Sequence, residues 1–213
     1  SCVERGNPKV PEIIVEVSAG AHTRTDSLVS ILLSQDLKSV QVVELIETGF
    51  LPVFSQRDSE NPERLYWIVS GTTPKGTIRT YHVLLNAEPN TDSILEVENK
   101  EGSYLEIRHS GLKVLQYRYG IVEPPTADIP NIYARSGYIH PIWTPEGLIV
   151  SDDFSPLYPH HRGLWFAWTK SRYKDRTPDF WNLHKGTGAV RHDGLEDIWE
   201  GPVFAGFRAA HRY

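Results

Sequence analysis

Hydrophobic and polar residues alternate with a period of two over much of the first 130 positions, the spacing that gives a strand one apolar and one polar face. Ile13 to Val17, Val40 to Ile46, Tyr66 to Val69 and Tyr81 to Leu85 are short runs rich in β-branched and aromatic residues. Clusters of Gly, Pro, Asn and Asp bound them, which predicts strands joined by turns. The pattern is clearest over 94–119. Ile94 to Glu98, Tyr104 to Arg108 and Val114 to Tyr119 are separated by turn residues at 99–102 and at Ser110-Gly111. In the last run Leu115, Tyr117 and Tyr119 share one face, and Gln116 and Arg118 the other. This predicts a three-stranded antiparallel meander, half buried on one side. No long helical period is present; Ser27 to Leu33 is the one ambiguous apolar stretch.

These elements predict an all-β fold, two antiparallel sheets packed as a β-sandwich with long loops on one side. The nearest analogy is the galactose-mutarotase-like supersandwich. The expected organisation is one domain over 1–213, with a flexible N-terminal segment at 1–10 and a Pro-rich crossover at 123–130. A chain of 213 residues is long enough to bury a core without staples. A net charge of −5, with no clustered basic face, argues against a nucleic-acid partner. No apolar run is long enough to span a membrane as a helix. One cysteine excludes a disulfide framework and a zinc–cysteine site. That residue, Cys2, follows Ser1 and precedes a polar stretch, which resembles the mature end of a bacterial lipoprotein. Lipidation of Cys2 and a periplasmic or cell-surface location follow as expectations; the alternative is an ordinary terminal cysteine.

The second half changes character. Six of the nine His lie from His140 to His211, and five of the six Trp from Trp143 to Trp199. Rigid aromatic surfaces with a few polar groups are the usual wall of a small-molecule site. The densest block is Pro159-His160-His161-Arg162-Gly163-Leu164-Trp165. On a strand, His160 and His161 would point to opposite faces, so both enter one site only through a turn. Upstream, His140 precedes Pro141 and is expected to be extended, with Trp143 close behind. Downstream, Asp179, Trp181, Asn182 and His184 combine a carboxylate, a stacking surface, an amide and an imidazole. Gly186-Thr187-Gly188 is too short to cradle a phosphate and reads as a hairpin turn. Several His with a carboxylate leave a divalent metal open as a cofactor.

The blocks 136–147, 159–165, Asp179-Phe180-Trp181-Asn182 and Trp199-Glu200-Gly201-Pro202-Val203 together resemble the bacterial family labelled "methane oxygenase PmoA-like", largely a family of unknown function. The resemblance covers Arg135 to the end most closely. It implies an extracytoplasmic role in glycan or modified-sugar metabolism, and a C-terminal end shorter than in the family. The label itself does not transfer, because no membrane span is present.

Together with that resemblance, the residues imply a sugar-processing enzyme of hydrolase, lyase or epimerase type. His160 or His161 would be the acid/base. Arg162 would hold a carboxylate or developing oxyanion. Asp179 would orient a His or act as second acid/base. His140, Trp143, Trp165, Trp181, Asn182 and His184 would bind a glycan or sugar-derived small molecule. A non-catalytic glycan-binding protein is the second reading, and a metal-dependent oxygenase the third.

Overall fold

The computed structural model describes residues 11–34, 37, 39–90 and 92–213. The whole segment 1–10, with Cys2, lies outside them. The described chain is all-β, with four antiparallel sheets, long loops and two short 3₁₀ turns. No helix among these residues is long and apolar enough to cross a membrane. The chain groups into two compact units, 1–93 with 201–204, and 94–200 with 205–213.

The first unit holds seven strands: β1 (Glu12–Ser18), β2 (Arg24–Leu32), β3 (Val40–Ile46), β4 (Gly49–Val53), β5 (Ser55–Arg57), β6 (Arg64–Thr73) and β7 (Ile78–Leu85). One sheet runs β1-β7-β3-β4 and the other β2-β6-β5. The β-branched and aromatic runs form these strands because alternate side chains enter a shared core. Val40 and Val42 from β3, Leu65, Trp67 and Val69 from β6, and Tyr81 and Val83 from β7 meet there, all almost fully buried. Thus the two sheets contribute their apolar faces to one interior. Ser27 to Leu33, ambiguous by pattern, falls mostly within β2 and pairs with β6.

The second unit contains β8 (Leu95–Lys100), β9 (Tyr104–His109), β10 (Leu112–Arg118), β11 (Tyr138–Ile142), β12 (Arg191–Trp199) and β13 (Gly206–Arg212). The meander forms as predicted, and β11 extends it to the order β11-β10-β9-β8. The centre of its polar face is closed to water, however, while Glu96, Glu98 and Lys113 at its margin stay exposed. Glu106 and Gln116 are buried and joined at 2.5 Å, and Arg108 and Lys113 supply positive charge to the same carboxylate. A charge network can sit on a buried sheet face when every ion has a partner, so alternation alone misjudged that side. The β12–β13 hairpin pairs from Arg191↔Arg212 to Trp199↔Gly206. Between β11 and β12, some fifty residues carry only isolated bridges and one 3₁₀ turn, Leu183–Lys185. These loops present the aromatic and histidine-rich blocks.

Candidate functional site

Two loops of the second unit meet. The first turns tightly at 158–161, where the His161 amide donates to the Tyr158 carbonyl at 2.9 Å. Because it is a turn and not a strand, the His160 and His161 rings lie side by side, 4.4 Å between centroids. The second loop is organised by Asp179. Its Oδ1 accepts the Trp181 and Asn182 amides at 3.1 and 2.8 Å, and its Oδ2 accepts Asn182 Nδ2 and Lys185 Nζ at 2.9 and 2.7 Å. Such a turn fixes the backbone of a loop with no strand to hold it. Buried Leu183 anchors the same segment. As a result, His184 stands 6.1 Å from His160, and Trp181 stands 5.7 Å from His161. Trp181 also packs on Trp165 at 5.0 Å.

His160, His161, His184, Trp165 and Trp181 therefore form one continuous surface of three imidazoles and two indoles. Asp179 and Asn182 lie beneath it as its support. Asp179 is not free to exchange protons. Its four hydrogen bonds, led by the Asn182 amide, hold its carboxyl far below the usual carboxylate range. It stays anionic, and the second acid/base role expected for it does not fit.

Arg162 is not on this surface. Its side chain is fully buried, with Nε paired to Asp153 and Nη1 donating to the Tyr133 carbonyl at 2.7 Å. Its Nη2 donates to the Tyr138 hydroxyl at 2.5 Å, and Phe154 lies 3.5 Å over the guanidinium. Every direction in which it could grip a substrate is already taken, so the expected carboxylate clamp becomes a structural ion pair. His140 and Trp143 also lie apart from the cluster. His140 bonds Ser151 Oγ at 2.9 Å, and Trp143 faces Lys113 Nζ at 5.5 Å. Gly186-Thr187-Gly188 is a loop leading to β12, not a hairpin turn, and Thr187 Oγ accepts the Asp179 amide at 3.1 Å.

Two groups escaped the sequence reading. Arg135 is buried, and its guanidinium lies 3.7 Å from the Trp165 ring centre. Tyr117 bridges His192 Nδ1 and His211 Nε2 at 3.0 and 2.8 Å. Among the described residues, no three His, Cys, Asp or Glu side chains gather so as to hold a metal ion.

Burial pushes His140, His160, His192 and His211 down from the ordinary imidazole range; for His160, the neighbouring His161 and His184 add to the effect. Such a group takes up its proton more readily in the unfolded chain. Its stabilising contribution is complete above the unfolded value of about 6.5 and drains away as pH falls below it. The melting temperature should therefore drop by roughly 5 °C or more between about pH 7.5 and 5.5. Circular dichroism melts read this directly. A melting point unchanged across that range would mean that the folded protein does not hold these rings neutral.

A family model matches residues 104–213, that of a family of unknown function, DUF6807. The resemblance to the PmoA-like family is corrected by that match, and the expectations drawn from it alone lapse. None of the curated proteins and none of the solved structures compared with the chain matches it. The matched segment takes in five of the six strands of the second unit, β9 to β13, with both site loops, more than half of the 213 residues, and the chain belongs to the DUF6807 family of unknown function.

Proposed function

We propose that the second unit is an enzyme that moves protons on a small ring-bearing molecule of sugar type, by hydrolysis, elimination or epimerisation. The observation that carries the reading is the convergence of His160, His161 and His184 beside the Trp165–Trp181 pair. An indole face stacks on the C–H face of a pyranose, which orients a neutral substrate without charge. His160, held neutral by burial, serves as the base. The proton it takes is delivered back to the substrate from the same cluster, so no net charge builds up. An all-β chain of antiparallel sheets with long loops is also compatible with the galactose-mutarotase-like supersandwich as the architecture behind such a site.

A binding-only reading has one observation in its favour. Asp179, the carboxylate nearest the cluster, is locked as an anion. The two readings separate in one experiment. Wild-type protein is incubated with neutral and carboxylated mono- and disaccharides, and products are followed by proton NMR. At least one should turn over, and His160→Ala or His161→Ala should lower kcat by roughly 100-fold or more with binding retained. A wild type that binds a sugar but leaves the whole panel unchanged would establish the binding module.

A further inference from the structure

Arg135 is 2% exposed, and none of its three guanidinium nitrogens has a hydrogen-bond partner. Burying an ion without a partner is costly, and the cation–π contact with Trp165 supplies neither a counter-charge nor a hydrogen-bond acceptor for its N–H groups. The surroundings sharpen the imbalance. Arg162 is also buried and repels Arg135, while the carboxylate of Asp153 balances only one of the two cations. Tyr138, Tyr213 and His211, which complete the shell, carry no compensating charge near neutral pH. Burial and the Arg162 charge lower the Arg135 pKa to about 9, still well above neutral pH, so the positive charge remains. The interior thus holds one surplus positive charge.

Arg135 also forms part of the wall of a cleft of about 520 Å³, with Ala134, Leu183, Gly188 and Val190. The rim carries one exposed group of each sign, Glu123 and Arg191. Stacking on Trp165 occupies one face of the guanidinium and leaves its edge, where two parallel N–H groups match a planar carboxylate.

We infer that Arg135 anchors an anion site in this cleft, and that its ligand is a small organic carboxylate. A single negative charge matches the single surplus cation, whereas a phosphate brings close to two. The nitrogens are covered, so the carboxylate reaches them from the cleft only as the wall that Arg135 shares with Leu183 and Val190 gives way. Arg135 lies against the indole on which the proposed substrate stacks. Resting on that functional reading, the carboxylate belongs to the substrate itself, as in an oxidised sugar.

The test follows thermal unfolding and tryptophan fluorescence of the full chain at constant ionic strength. The probes are acetate, glucuronate, galacturonate, glucose and inorganic phosphate. At least one carboxylate should give a saturable rise in melting temperature and a fluorescence change, with glucose and phosphate at least 10-fold weaker. Arg135→Lys should weaken that response by 10-fold or more, and Arg135→Met should abolish it. With no probe added, Arg135→Met should melt higher than wild type, because an unpaired buried cation is gone. Stronger binding of phosphate, no carboxylate response, or an unchanged response in Arg135→Met would each overturn the inference. Glucose binding that ignores Arg135 would leave the sugar reading standing and remove the anion site. A carboxylate response that depends on Arg135, in a protein with no turnover, would do the reverse.

Discussion

A Gly163→Ala variant should lose roughly 2–5 kcal/mol of stability, enough to lower the melting temperature by roughly 5 °C or more. Gly163 has φ +48°, in the left-handed region. An alanine Cβ there would lie 2.1 Å from the Ile139 carbonyl oxygen and 2.8 Å from the His140 Cβ. The obstacle is backbone, and it cannot swing aside. Gly163 donates to the Asp152 carbonyl at 2.8 Å, and Leu164 and Ile139 exchange two bonds of 2.9 Å across the same bridge. Relief would need those bonds to break or β11 to move off β10. The left-handed conformation itself costs a residue with a side chain only ~1–2 kcal/mol, so a control isolates the steric part. Gly147 has φ +85° with nothing within 4 Å of its Cβ position, and Gly147→Ala should cost only about that amount. Thermal melts of the two variants side by side decide the matter. Equal losses would mean that Gly163 is chosen for its backbone angle and not for the close approach of β11.

The same residues show how far the sequence could be read. Strands with an apolar face announced themselves, because alternation survives wherever one side is buried. β2 begins Arg-Thr-Asp-Ser, and β12 reads Arg-His-Asp-Gly-Leu-Glu-Asp-Ile-Trp with register shifts at two places. Polar residues and bulges erase the period there, and only pairing with a neighbour defines the strand. At the site, residue types pointed to two blocks that the fold brings together, 159–165 and 179–184. Their convergence depends on a loop held by Asp179, and no spacing rule carries that information. The arginines are harder still. Arg162 lies between two histidines and a tryptophan and reads as a substrate clamp, while Arg135, in Tyr-Ala-Arg-Ser-Gly, has no neighbour in sequence that singles it out. Burial separates the two: all three guanidinium nitrogens of Arg162 are engaged, and none of those of Arg135 is.

Arg162 is accordingly predicted to act on stability before activity. Arg162→Met should destabilise by roughly 3–5 kcal/mol, the usual cost of breaking one side of a buried ion pair. It strands the Asp153 carboxylate, removes a donor from the Tyr133 carbonyl and leaves the Tyr138 hydroxyl with one partner in place of two. A residue that merely gripped substrate would lose activity at an unchanged melting temperature. The charge balance makes a sharper demand. Asp153→Asn leaves Arg162 and Arg135 both buried with no anion between them, so it too should destabilise. Adding Arg135→Met to Asp153→Asn removes one of the two repelling cations and should restore part of the loss. Added to Arg162→Met, the same change removes the cation remaining beside the stranded Asp153 and should deepen the loss. Urea unfolding of the two double variants measures both couplings, since residues sharing one network depart from additivity by roughly 0.5–3 kcal/mol. Opposite signs place Arg135, Arg162 and Asp153 in a single electrostatic unit beneath the histidine surface. Two couplings near zero would mean that Arg135 does not sense the Arg162–Asp153 pair, and the surplus charge on which the anion site depends would be gone.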